Sequence, residues 1–91
     1  MRHQYRITLE KLDEQQQTTQ ALSFETENHD DIFNILSKVD GKFDFTDEQT
    51  KSFIIGLKLF GEVIMQQRKH PLFEELEPQM KQFMKKLKRG E

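Results

Sequence analysis

The apolar residues of this chain change period once, near Asn28, and that change fixes the kind of fold available. Before it, Tyr5, Ile7 and Leu9 alternate with Gln4, Arg6, Thr8 and Glu10, and Leu22 and Phe24 alternate with Ser23 and Glu25. A period of two marks strands with one face toward a core. After Asn28, apolar residues recur three and four apart, the spacing of amphipathic helices. Strands first and helices after predict an α+β fold. The expected order is an N-terminal antiparallel β-hairpin followed by three helices, β-β-α-α-α, with the second helix central. The sequence has 91 residues and shows no internal repeat or linker, so residues 1–91 read as a single α+β domain.

The hairpin is expected to pair residues 3–12 with 19–27 across a polar loop at 13–20. No tight-turn dipeptide is present to pin its register. Asn28 is placed as an N-cap, with Asp30 and Asp31 in the first turn of a helix over 29–40. Ile32, Phe33, Leu36 and Val39 form its apolar stripe, and Gly41 supplies the stop. Phe43 and Phe45 fall in a connector and are expected to plug the core. Thr46 with Gln49 three residues on is a capping box, which starts the second helix over 47–68.

That second helix is apolar over most of its circumference. Phe53, Leu57, Phe60 and Ile64 share one axis, and Lys51, Ile55, Lys58, Glu62 and Gln66 are left for water. The spacing predicts the quartet as its most buried residues. Gly56 and Gly61 each cost a helix interior about 1 kcal/mol relative to Ala, which suggests close approach of neighbours on both flanks. Pro71 ends this helix and opens the last element. There Phe73, Leu76, Met80, Phe83, Met84 and Leu87 form a stripe across Pro78. Residues 72–88 are either one helix kinked at Pro78 or a short turn followed by a helix over 78–88.

Composition narrows the function classes. Leu, Ile, Val and Phe make up 25 of 91 residues, enough for a compact core. No apolar run approaches the roughly 20 residues of a membrane helix. The polar opening lacks an apolar signal core, so secretion is not expected and cytoplasm is the default location. Zero cysteines exclude a disulfide scaffold, a thiol nucleophile and a cysteine zinc site. The net charge of -2 hides an acidic first half and a basic second half, which attract each other within one fold or between two copies.

Two blocks carry a resemblance. Asn28-His29-Asp30-Asp31-Ile32 stands at the first helix start. Gly56-Leu57-Lys58-Leu59-Phe60-Gly61-Glu62-Val63 is followed by Arg68-Lys69-His70-Pro71-Leu72-Phe73, and Tyr5-Arg6-Ile7-Thr8 and Leu22-Ser23-Phe24-Glu25 also fit. On these the chain resembles a family of small bacterial proteins of unknown function over nearly its whole length. The resemblance implies a bacterial cytoplasmic protein and brings no activity, cofactor or ligand with it.

Chemistry-bearing constellations are few. His3, His29 and His70 show no helical metal-ligand spacing, and His29-Asp30-Asp31 is explained by capping. Glu62, Arg68 and His70 supply an acid, an anion binder and a proton shuttle, yet Glu62 and Arg68 diverge on a straight helix. No phosphate loop, nucleophile elbow or paired carboxylate appears, so no enzyme and no cofactor is expected. The better candidate is the basic face Lys81, Lys85, Lys88 and Arg89, where like charges four apart would be relieved by an acidic partner. The turn Arg68, Lys69 and His70 is a second candidate contact. A pI near 5.9 and the lack of aromatics among the lysines argue against nucleic acid.

A lone hairpin leaves two strand edges unpaired, which a second copy or an extended peptide can fill. The sequence therefore reads as a protein-interaction or regulatory module with a protein partner or a homodimer through a strand edge. The alternatives are a nucleic-acid accessory protein using the basic last helix, and a small enzyme around Glu62 and His70.

Overall fold

A computed structural model describes residues 2–88. Strands β1 (His3–Leu12) and β2 (Thr18–Asn28) form an antiparallel hairpin, followed by helices α1 (Ile32–Val39), α2 (Asp47–Gln66) and α3 (Leu76–Lys88), with a 3-10 turn at Pro71–Phe73. This is the expected α+β order. Two compact units are present, Met1–Asp31 and Ile32–Glu91.

In the hairpin the register runs from His3 opposite Asn28, through Ile7 opposite Phe24 and Leu9 opposite Leu22, to Leu12 opposite Thr18. Alternation therefore puts Tyr5, Ile7, Leu9, Leu22 and Phe24 on one face. The other face carries polar cross-strand pairs. Gln4 Nε2 donates to Glu27 Oε1 at 2.6 Å, and Arg6 reaches Glu25 Oε2 at 2.8 Å. The hydroxyls of Thr8 and Ser23 lie 3.3 Å apart. Each such pair contributes roughly 0.2–1 kcal/mol.

The loop is shorter than expected, because Thr18, Thr19 and Gln20 belong to β2. One residue closes it. The Asp13 carboxylate accepts from the backbone N–H of Gln15 and of Gln17, both at 2.9 Å, and the Asp13 N–H donates to the Gln17 carbonyl at 2.9 Å. Gln16 takes a left-handed φ of 66° to make the return. The ladder slips by one residue between Lys11 and Leu12, as a bulge next to such a loop does. Asp13 pins the register that no turn dipeptide specifies.

Asn28 does not cap a helix over 29–40. It ends β2, fully buried, and its Oδ1 accepts from the Asp30 N–H at 3.0 Å. This local side-chain turn competes with helix initiation, so α1 begins at Ile32 with no acid in its first turn. Gly41 ends α1 as expected, with φ 72°. The Thr46–Gln49 capping box opens α2, with Gln49 N–H to Thr46 Oγ1 at 3.1 Å and Thr46 N–H to Gln49 Oε1 at 2.9 Å. Of the two readings of 72–88, the turn followed by a helix holds. Helix α3 starts two residues before Pro78, which then sits in the first turn, where a missing N–H breaks no helical bond.

The core of α2 lies on a different axis from the one predicted. Ile54 is 1% exposed, Ile64 is buried, and Glu62, assigned to water, is 3% exposed. Phe60, placed in the buried quartet, is 45% exposed, and Phe53 and Leu57 are half-buried. Treating every charged residue as solvent-facing displaced the axis; a carboxylate can be buried when it is hydrogen-bonded, and Gln66 Nε2 lies 3.5 Å from Glu62 Oε2. The glycines do not mark close neighbours either. A Cβ on Gly56 or Gly61 would have nothing within 4 Å among the described residues.

Aromatic rings do much of the remaining packing. Phe53 meets Phe43, Phe45 and Phe83 edge-on at centroid distances of 5.7, 5.8 and 6.2 Å. Phe60 meets Phe73 at 6.3 Å. Such edge-to-face pairs add about 0.5–1.5 kcal/mol beyond their burial. The Phe73–Leu87 stripe is half-buried except at Phe83, which is exposed, and α3 has no buried residue among those described.

Candidate functional site

The last turn of α3 is basic, with Lys85, Lys86 and Lys88, and all three are exposed. Lys81 is exposed too, and its Nζ lies 3.6 Å from Glu77 Oε1, one turn back. Arg89 lies outside the described residues. The same Glu77 oxygen is 3.8 Å from Arg68 Nε. One carboxylate therefore brings together two features the sequence kept apart, the basic face and the turn at Arg68, Lys69 and His70. Lys69 is exposed. These contacts are solvent-facing and worth a few tenths of a kcal/mol.

His70 has a structural role in that turn. Its Nδ1 accepts from the Leu72 N–H at 3.1 Å and caps the 3-10 turn, and its ring lies 6.1 Å from that of Phe73. Glu62, in the last half of α2, is buried, with Gln66 Nε2 3.5 Å from its Oε2, whereas His70 caps the 3-10 turn that follows. Among the described residues no group of three His, Cys, Asp or Glu side chains is placed to hold a metal. The Lys51 amine, hydrogen-bonded to Asp47 and attracted by it, with Glu48 adding to both effects, is held above its ordinary value. That cluster lies in the first turn of α2, where acids complement the helix dipole.

The feature that sequence reasoning missed is the state of the hairpin's apolar face. Leu9, Leu22 and Phe24 on that face, and Leu12 beside the bulge, are all exposed, at 46% to 63%. An open groove of about 340 Å³ runs there, lined by Leu9, Glu10, Lys11, Gln20, Ala21 and Leu22. Alternation reveals that one face is apolar; it carries no signal of whether anything covers it. The helical unit repeats the pattern. Phe60 and Val63 of α2 and Leu72 of the 3-10 turn are exposed, at 45%, 47% and 73%. Isolated exposed apolar residues are ordinary, but contiguous ones mark interaction surfaces.

These features define a class: a small α+β protein with an antiparallel hairpin carrying exposed apolar side chains, followed by three helices. The chain belongs to the family DUF3861, a domain of unknown function with a solved structure, whose model matches residues 3–89. It is similar to a protein of unknown function from the bacterium Pectobacterium atrosepticum. That crystal structure matches at 55% identity over 98% of this chain and 99% of the other, with a TM-score of 0.89. No curated protein matches at a significant level. The expected resemblance to small bacterial proteins of unknown function therefore stands. No helix among the described residues is long and apolar enough to cross a membrane.

Proposed function

We propose that this is a cytoplasmic protein-interaction or regulatory module with no catalytic activity and no cofactor of its own. One observation carries the reading: Leu9, Leu12, Leu22 and Phe24 are exposed on a hairpin whose polar face is already satisfied. Covering each of these side chains is favourable by roughly 1–3 kcal/mol, so a partner is attracted to that ribbon before any polar contact is made. The two unpaired strand edges can receive a strand from a second copy or an extended peptide. The basic end of α3 and the Arg68–His70 turn are suited to an acidic protein surface, and there they govern association rate and orientation more than affinity.

Support for a nucleic-acid role is weaker. Lys81 and Arg68 already share Glu77, and Phe83, the aromatic between Lys81 and Lys85 in α3, is engaged edge-on with Phe53. Affinity capture from a bacterial lysate, with and without nuclease, separates the readings. A protein partner that survives nuclease is the expected result. Recovery that depends on nucleic acid, lost when Lys81, Lys85 and Lys88 are changed to Gln, would replace the interaction module with a nucleic-acid accessory protein.

A further inference from the structure

We propose that the apolar hairpin face is covered by a second copy of this chain, each hairpin docking on the helical unit of the other. This rests on the interaction-module reading and names its partner.

Area is the first ground. Seven side chains are concerned: Leu9, Leu12, Leu22 and Phe24 on the hairpin, and Phe60, Val63 and Leu72 on the helical unit, all between 45% and 73% exposed. Together they present on the order of 600 Å² of apolar surface per copy, divided between the two units. A standard interface removes about 800 Å² per partner, a little over half of it apolar. The chain therefore carries, on its own surface, the whole apolar content of one stable interface. Because one copy supplies both the docking ribbon and the receiving face, a two-fold dimer uses each of them twice and leaves neither open.

Net charge favours the pairing at long range. Met1–Asp31 holds seven acids against three bases, net -4, whereas residues 32–91 hold nine acids against eleven bases, net +2. The strand acids Glu10, Glu25 and Glu27 lie on the polar face, away from Leu9, Leu22 and Phe24, so it is the approach and not the contact that charge biases: two hairpin units repel, and a hairpin and a helical unit attract. The receiving face is also sterically open. Gly56, Phe60 and Val63 follow one another at i, i+4 and i+7 on α2, so they share a side of the helix. A Cβ on Gly56 would meet nothing within 4 Å, which leaves that side accessible to another backbone.

Sedimentation of the full chain tests this. The chain, 10.9 kDa, is expected to sediment as a dimer. Leu22→Glu should weaken the dimer about a hundredfold with an unchanged far-ultraviolet spectrum, since Leu22 is exposed in the single chain. The absence of cysteine makes cross-linking clean. Copies bearing Leu22→Cys, mixed with copies bearing Val63→Cys, should form a disulfide faster than either variant alone. A monomeric wild type overturns the proposal. So does a dimer that cross-links only between two Leu22→Cys copies, which would place hairpin on hairpin. A monomer that still captures a nuclease-resistant protein leaves the interaction module standing and removes only the second copy as its partner.

Discussion

The hairpin and the helical unit are stabilised by opposite means. In the hairpin the contacts are polar and mostly local: Asp13 closes the loop, and Arg6–Glu25, Gln4–Glu27 and Thr8–Ser23 bridge the strands, while the distal apolar side chains stay exposed. In the helical unit a few deep isoleucines and a chain of edge-on phenylalanines do the work. A periodic pattern shows which face of an element is apolar, and the same pattern serves a face that is covered and a face that is bare. The two units differ in what lies over that face, which is a property of tertiary structure and not of spacing.

The sharpest way to break this contrast is Ile54→Ala. With Ile54 1% exposed, the substitution should cost about 2–5 kcal/mol in urea unfolding, a large part of the stability of a domain this size. Phe60→Ala should cost clearly less, because nearly half of that ring is in solvent. Equal losses would restore Phe60 to the core and move the helix axis back to where spacing alone puts it.

Asp13→Ala probes the polar side of the comparison. Two backbone N–H groups lose their acceptor, a loss comparable to that of a helix cap, about 1 kcal/mol. Amide exchange at Gln15 and Gln17 should accelerate first. If exchange there is unchanged, the cross-strand pairs and not the loop fix the register.

Gly61→Ala should raise stability, by roughly 0.5–1 kcal/mol, because the helix gains propensity and the new methyl meets no neighbour. A thermal melt that falls would reveal a close contact at that shoulder of α2. The smallest effect concerns pH. Lys51 is held above its ordinary value by Asp47 and Glu48, so its contribution is complete below the ordinary lysine value of 10.5 and disappears as pH rises through the higher folded value. Lys51→Met should therefore remove a slight alkaline sensitivity of the helical signal and leave neutral stability nearly unchanged; a large loss at neutral pH would contradict a solvent-facing pair.

Much of the fold was legible because the signals are local. Alternation at Tyr5–Leu9 and Leu22–Phe24, the Thr46–Gln49 box and Gly41 act within a few residues, and each appears where expected. Asn28 misled because its short polar side chain suits a helix cap and a local turn equally well, and only the surroundings choose. Glu62 misled because charge predicts exposure only until a hydrogen-bonding partner is supplied, here Gln66 one turn on in the same helix. Of the candidate site, Lys81, Lys85 and Lys88 are exposed, whereas Glu77 as the link between Arg68 and Lys81 needed three-dimensional proximity.

The Asp13 loop also sets an order of events. Its hydrogen bonds span at most four residues, so they close quickly, before the chain has searched any distance. From that nucleus each further rung, from Leu12 opposite Thr18 down to His3 opposite Asn28, closes only a short additional segment, and the ribbon zips on the microsecond scale of isolated hairpins. The apolar tip is thus the first part of the ribbon to be built, and it is displayed to other molecules while the far end of the same ribbon is still finding its partner strand.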